Sequence, residues 1–437
     1  MNARVEDINS WLEQYDDKVL AIWGMGGSGK TTLAQYIVSS NSRHFEVTSV
    51  VENIGSTFEK EQNLDKLFRK FANDILGAGR ESMEQDRLRL YPALRKKKAL
   101  IVLDDINEPS QFTNFLFDFR AINPQSKIII TTRSSYTHTQ LTGHGIPISC
   151  REYKMQLLDD DESLELLSLH AFGSKFPMEG YNKLAKEVIQ YCEGNPLALK
   201  VLGSSLSEDC SIIFWRSTLN LLKIEMNSGI QRVLVRSYNT LANKKNKELF
   251  LHIACFFVGE DKDYVEKILE PDYCASSGIK VLANRCLLSV LPNNKLMMHP
   301  LIQEMGRSIV LEESKHPAER SRAWHSSDSY KILRKGEGSK TMEGLALDMQ
   351  VLWIDRPLSK SSDLKTDSLT KMDNLKLLLL NDVHLTGSYE EFSEDLRWLC
   401  WRHFRLTAIP SDLFQGNLVA IDMRDSNLEV FEPPILS

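Results

Sequence analysis

No stretch constrains this chain more than Gly24-Met25-Gly26-Gly27-Ser28-Gly29-Lys30-Thr31. It follows a short apolar run that begins after Lys18 and precedes apolar residues at helical spacing, Leu33 and Ile37, so the segment reads as strand, loop, helix. In that setting G-x-x-x-x-G-K-[ST] lets glycine backbone amides wrap phosphates, while the lysine reaches the β and γ groups and the hydroxyl ligates magnesium. Gly24, Gly26 and Gly29 also satisfy G-x-G-x-x-G, with the acidic Glu52 about 20 residues on, as a dinucleotide site requires. Lys30 and Thr31 argue for the phosphate loop instead, because a dinucleotide turn has no use for a cation followed by a hydroxyl at the start of its helix.

Further apolar runs at Val47 to Val51, Ala99 to Leu103 and Lys127 to Ile130 are separated by segments rich in helix formers. This alternation produces a parallel sheet covered by helices, so residues 1–150 read as an α/β domain. The run at Ala99 ends in Asp104 and Asp105, where P-loop NTPases hold magnesium and orient water. Alone, the pair could equally start a turn after a buried strand. Ile128-Ile129-Ile130-Thr131-Thr132 runs into Arg133, a cation placed to sense a γ-phosphate at the sheet's carboxyl edge or to lie on the surface. Arg95 to Lys98 is the densest basic run, but it lies where a helix would end, and cations are favourable there on a solvated face.

From Asp159 to about Leu222 the apolar spacing is helical, and Gly194-Asn195-Pro196 marks one helix ending and another starting, with Asn as N-cap and Pro at the first helical position. Helical patterns continue to Val310 with a small hairpin expected at Leu287 to Met298, a combination that fits helices with a β wing. Segments from Leu375, Leu396 and Leu418 then place apolar residues at offsets 0, 3, 5 and 10, with starts 21 and 22 apart. That is the leucine-rich pattern of a stacked solenoid, and the array looks cut short at Pro433 to Ser437.

Lys plus Arg total 53 against 59 Asp plus Glu, a net −6, so no global positive field points to nucleic acid or an anionic membrane. The seven cysteines are scattered, without C-x-x-C or a histidine at metal-ligand spacing, and read as reduced, mostly buried thiols. The longest apolar stretch, Leu249 to Val258, is about half of what a bilayer needs, and a cytoplasmic protein without a membrane span is expected. His299 taken alone is an ordinary packed or exposed histidine. No nucleophile elbow or zinc motif supports a hydrolase or metalloenzyme.

In order, GMGGSGKTT at 24–32, LIVLDDI at 100–106, IIITTR at 128–133, EGNPLAL at 193–199, LFLHIACFF at 249–257 and MHPLIQEMG at 298–306 resemble the NB-LRR disease-resistance receptors of plants. Glu319 to Trp324, Gly344 to Leu347 and the leucine-rich units extend the likeness over almost the whole chain. LDDI followed by Asn107, together with FLHIACFF, resembles the subclass with an N-terminal TIR domain, a domain not read in these residues. The resemblance implies a multidomain α/β plus α chain. Residues 1–150 would form a P-loop NTPase domain with a parallel sheet, 151–225 a helical ARC1-like domain, 226–320 a winged-helix ARC2-like domain, 321–370 a linker, and 371–437 about three leucine-rich repeats. It also implies a switch that clamps ADP when off and rearranges and oligomerises with ATP, at most a slow ATPase.

By this similarity Gly24, Met25, Gly26, Gly27, Ser28, Gly29, Lys30, Thr31 and Thr32 hold the phosphates, and Thr31 and Asp104 hold Mg2+. Asp105 polarises water beside Asp104, Arg133 senses the γ-phosphate, Pro196 packs near the adenine and His299 reaches the β-phosphate of ADP. The family has M-H-D where this chain has Met298-His299-Pro300. Proline supplies neither a carboxylate nor an N–H, so ADP is expected to be held less firmly than in a relative with Asp. The partners implied are a second copy or a full-length TIR-type relative, and an unknown pathogen effector or guarded host protein. Nuclear entry is compatible with the cytoplasmic location. Two other functions compete: a turnover ATPase, which rapid hydrolysis would support, and a truncated partner or decoy, which association with a TIR-bearing relative would support.

Overall fold

The four apolar runs become strands β1 (Val19–Trp23), β2 (Val47–Val51), β3 (Ala99–Leu103) and β4 (Lys127–Thr132), and a fifth strand, β5 (Cys150–Lys154), joins them in one parallel sheet of order β2-β3-β4-β1-β5. The structure, a computed structural model, describes residues 2–14, 17–59, 64–77, 83–106, 111–112, 115, 122–135, 150–209, 211–223, 225–355, 364–410, 413 and 417–429. Asn107, Cys210 and the terminal Pro433 to Ser437 lie outside the described residues. The chain divides into two compact units, residues 1–237 with 284–286, and residues 238–283 with 287–437.

In the first unit, alternate strand residues point to opposite faces of the sheet, and both faces are covered. Leu20, Ile22, Leu100, Val102 and Ile129 pack with Ile8 and Trp11 of α1 (Asn2–Glu13) and with Leu33, Ala34 and Ile37 of α2 (Lys30–Asn41). Val19, Ile101, Leu103, Ile128 and Ile130 pack with Phe68, Phe71, Ile75 and Leu94 on the other face. The sequence carries no sign of β5 because Cys-Arg-Glu-Tyr-Lys is an edge strand with one neighbour and no fully buried residue. The Arg95 to Lys98 run lies at the C-terminal end of helix Met83–Lys96, as its charge suggests.

Helices Asp160–Phe172, Asn182–Cys192, Pro196–Leu206, Ile212–Leu222 and Ser228–Asn239 follow. Asp159 and Glu162 form a capping box at the first. Between the second and third, Gly194 turns at φ +74°, and Asn195 accepts from the Leu197 and Ala198 amides with Pro196 in the first helical position. This is the cap read from the sequence.

The second unit contains helix Lys244–His252, a π turn at Ile253–Phe257, helices Lys262–Tyr273 and Pro300–Glu313, and an antiparallel hairpin pairing Ser289–Val290 with Leu296–Met297. Residues 321–370, expected as a linker, contribute two strands to a five-stranded sheet, with helix Ser326–Lys335 between them and a short helix, Met349–Asp355, after them. Arg322–Ala323 pairs with Gly344–Asp348, which pairs in parallel with Leu377–Asn381, then Trp398–Arg402, then Ala420–Asp422. The last three strands each begin two residues into the units at Leu375, Leu396 and Leu418. Leu345 and Leu347 are buried in register with Leu378 and Leu380. Their strand escapes a repeat reading because a longer stretch, not a 21-residue unit, separates it from the next. All six described cysteines are unpaired; Cys192, Cys255 and Cys400 are buried and Cys274 is exposed.

Candidate functional site

The carboxyl ends of β1, β3 and β4 open on one cavity of about 700 Å³, the position at which open parallel sheets receive ligands. The loop after β1 needs its glycines at particular places. Gly27 has φ +80°, and a Cβ there would come within 2.8 Å of both Asn195 Oδ1 and Leu197 Cβ. Lys30 opens α2 and is 8% exposed; its Nζ donates to the Gly24 and Met25 carbonyls at 2.8 Å each. Burial, helped by the nearby Arg133, pushes its pKa down to about 8. The Ser28 hydroxyl oxygen is buried and makes no hydrogen bond among the described residues. An anion seated against the loop would satisfy it.

Thr31 and Asp104 are brought into direct contact. Thr31 Oγ1 and Thr131 Oγ1 each donate to Asp104 Oδ1 at 2.6 Å, while Thr131 Oγ1 accepts from the Asp105 amide at 2.9 Å. Asp105 adopts φ +62°, and its carboxylate lies between Arg133 Nε at 3.4 Å and Arg236 Nη2 at 3.0 Å. Arg133 Nη1 also donates to Ser237 Oγ and the Val233 carbonyl, so it is anchored on helix Ser228–Asn239. The sequence does not point to Arg236, which lies in no recognisable motif. In the sequence Thr131 stands only as part of the strand that runs into Arg133.

The helical segment closes the opposite side of the cavity. Asn195 Nδ2 donates to the Gly26 carbonyl at 3.1 Å, and the Leu197 amide donates to the Gly27 carbonyl at 3.2 Å. Asn195 is therefore more than a helix cap, because it holds the glycine loop in place. Pro196 and Leu197 line the cavity with Leu158, Leu166 and Leu169, an apolar wall suited to a flat ring. Arg4 and Glu162 stand at its edge, paired bidentately at 2.7 and 2.8 Å across 158 residues of sequence. The hydrogen bonds from Arg4 hold the Glu162 carboxyl down to about 2. Thr32 and Gly29 also line the cavity, whereas Gly24 and Met25 contribute their carbonyls to Lys30.

His299 belongs to the second unit. There it N-caps helix Pro300–Glu313, its Nδ1 accepting from the Leu301 amide at 3.2 Å. Pro300 occupies the first helical position, where the missing N–H would have found no helical partner anyway and the fixed φ suits the helix. The substitution read from the sequence is therefore compatible with the local fold.

Residues 1–176 match the NB-ARC domain family, and residues 243–314 match the winged-helix domain of Roq1-like disease resistance proteins. Disease resistance protein RUN1 of Vitis rotundifolia is 33% identical over 453 residues, covering 96% of this chain and 33% of that protein. TMV resistance protein N of Nicotiana glutinosa is 31% identical over 442 residues, covering 98% of this chain and 36% of that protein. The chain thus spans about a third of the length of these relatives. A signal transduction ATPase with a tetratricopeptide repeat sensor from Pyrococcus horikoshii aligns at a TM-score of 0.32 and 15% identity over 77% of this chain and 45% of that one, too weak a likeness to carry an argument.

Proposed function

We propose that this chain, which belongs to the NB-ARC disease-resistance proteins of plants, is the nucleotide-binding switch of an intracellular immune receptor, holding ADP at rest and ATP when signalling. The observation that carries the reading is the convergence on one cavity of a buried lysine, an orphaned loop hydroxyl, a hydroxyl–carboxylate pair and an arginine at the sheet's carboxyl edge. On this reading the amides of Gly26 to Gly29, Ser28 Oγ, Lys30 and Thr32 hold the phosphates, and Pro196 and Leu197 flank the base. Thr31 and Asp104 offer hard oxygen donors that fit magnesium, which would draw charge off the phosphates when bound. Arg133 reads the terminal phosphate. Asp105 orients water only once its two arginines let go, so hydrolysis is slow and resets the switch. The strands from Gly344 onward are the start of a leucine-rich array.

Moving such a switch from 1:99 to 99:1 takes about 5.5 kcal/mol of differential affinity, which the contacts to the third phosphate must largely supply. In the active state the chain associates with copies of itself or a TIR-bearing relative. The first test is to purify the protein, denature it and identify the nucleotide released. Near-stoichiometric ADP supports the reading; a folded protein that releases no nucleotide overturns it.

Two further outcomes are expected. Lys30 titrates near 8, and phosphate stabilises its charged form, so binding must draw in protons when the pH exceeds that value. Calorimetry of ADP binding in buffers of different ionisation enthalpy should show greater proton uptake at pH 8.5 than at pH 7. Equal uptake at both values would count against Lys30 as the phosphate ligand. Separately, Pro300→Asp restores the carboxylate that the family carries after the histidine, and it should slow ADP release in a fluorescent-nucleotide chase. An unchanged rate would show that this carboxylate has no part in holding ADP.

A further inference from the structure

Asp105 is held by more positive charge than any role given to it requires. Its Oδ1 faces Arg133 Nε at 3.4 Å and its Oδ2 faces Arg236 Nη2 at 3.0 Å, so one carboxylate holds two guanidinium groups. The three side chains differ in freedom. Asp105 and Arg133 are each 12% exposed, and Arg133 is anchored to Ser237 and the Val233 carbonyl; Arg236 is 34% exposed and lines the same cavity as Lys30 and Thr31. Both arginines depend on helix Ser228–Asn239, which carries Arg236 itself and the groups that anchor Arg133.

We infer that Arg236 is a second cation that reads the terminal phosphate of a nucleoside triphosphate, kept on Asp105 until that phosphate competes for it. The inference rests on the nucleotide-site reading above. Two guanidinium groups around a single carboxylate leave a net positive charge, and a phosphate carrying more than one negative charge is the stronger acceptor for a planar five-donor group. A diphosphate has no third phosphate to make this exchange. Arg236 therefore adds to the preference for triphosphate without contributing to the affinity for ADP.

The test is to measure binding of ADP and of a non-hydrolysable ATP analogue by calorimetry to the full chain, stripped of nucleotide, and to three variants. Arg236→Gln should weaken the analogue about tenfold while ADP stays within about twofold. Arg236→Lys, with a charge but no fork, should fall between. Asp105→Asn, which weakens the competing acceptor, should move the analogue the other way and tighten it. Unchanged analogue affinity in Arg236→Gln, or an equal loss for both nucleotides, overturns the inference and leaves the nucleotide site intact. If the parent binds neither nucleotide, the site reading itself fails and the inference goes with it.

Discussion

Lys30→Ala should give a folded protein that retains no nucleotide. The ammonium is the one cation built into the glycine loop, at the first residue of α2, and it is already aimed at the loop by bonds to the Gly24 and Met25 carbonyls. Charge-assisted contacts from lysine to phosphate oxygens contribute on the order of 3 kcal/mol, so affinity should fall roughly a hundredfold or more. The fold should not suffer with it. A buried lysine whose pKa is pushed down is a charge the folded state holds at some cost, and removing it relieves that cost. The check is chromatography of the nucleotide released on denaturation, beside the unfolding midpoint of stripped parent and variant. ADP retained at the parental level would remove Lys30 from the site, and a collapsed midpoint would mean that the lysine serves the fold instead.

Arg322→Met should destabilise the second unit by about 3–5 kcal/mol. Arg322 is fully buried, donating to Glu248 Oε2 at 2.9 Å, to Ser321 Oγ at 2.7 Å and, through Nε, to His252 Nδ1 at 3.2 Å. A guanidinium only donates, so His252 must accept on Nδ1 and carry its proton on Nε2, which faces Tyr273 and Glu343. Burial, together with Arg322, pushes His252 down to about 3, so the ring is neutral. Burial would raise the Glu343 carboxyl, but hydrogen bonds from His252 and Tyr273 and the charge of Arg322 hold it below the usual range. Removing Arg322 leaves Glu248 without its cation and the imidazole acceptor without a donor, the situation in which a broken buried pair is most damaging. Arg424→Ala is the contrast: its own side chain is 63% exposed and Asp422 keeps Arg402 at 3.6 Å, so the loss should be less than about 1 kcal/mol. Hydrogen exchange at Leu345 and Leu347, whose strand begins one residue after Glu343, reports the loss directly. A change in Arg322→Met as small as that in Arg424→Ala would show that the network is not a support of the fold.

Much of the site was legible because its chemistry is written in contiguous stretches. The glycine loop, the Asp104-Asp105 pair and Arg133 each follow an apolar strand, and a parallel sheet must deliver such strand ends to one edge. The Gly194-Asn195-Pro196 junction was equally readable, since capping depends on the next few residues alone. The grip of Asn195 on the Gly26 carbonyl was not readable, nor was the Arg4–Glu162 pair, because each joins residues more than 150 positions apart. Arg236 on Asp105 belongs with them, as does the strand at Gly344, which has no repeat spacing to reveal it.

The division has a single physical cause. Strand, loop, cap and phosphate-cradle chemistry arise from backbone geometry and from side chains a few residues apart, so local order suffices to specify them. Which buried charge finds which partner depends on surfaces that meet only when helices pack, and there the requirement to pair every desolvated charge, not any local pattern, selects Arg236 for Asp105 and Arg322 for Glu248 and His252.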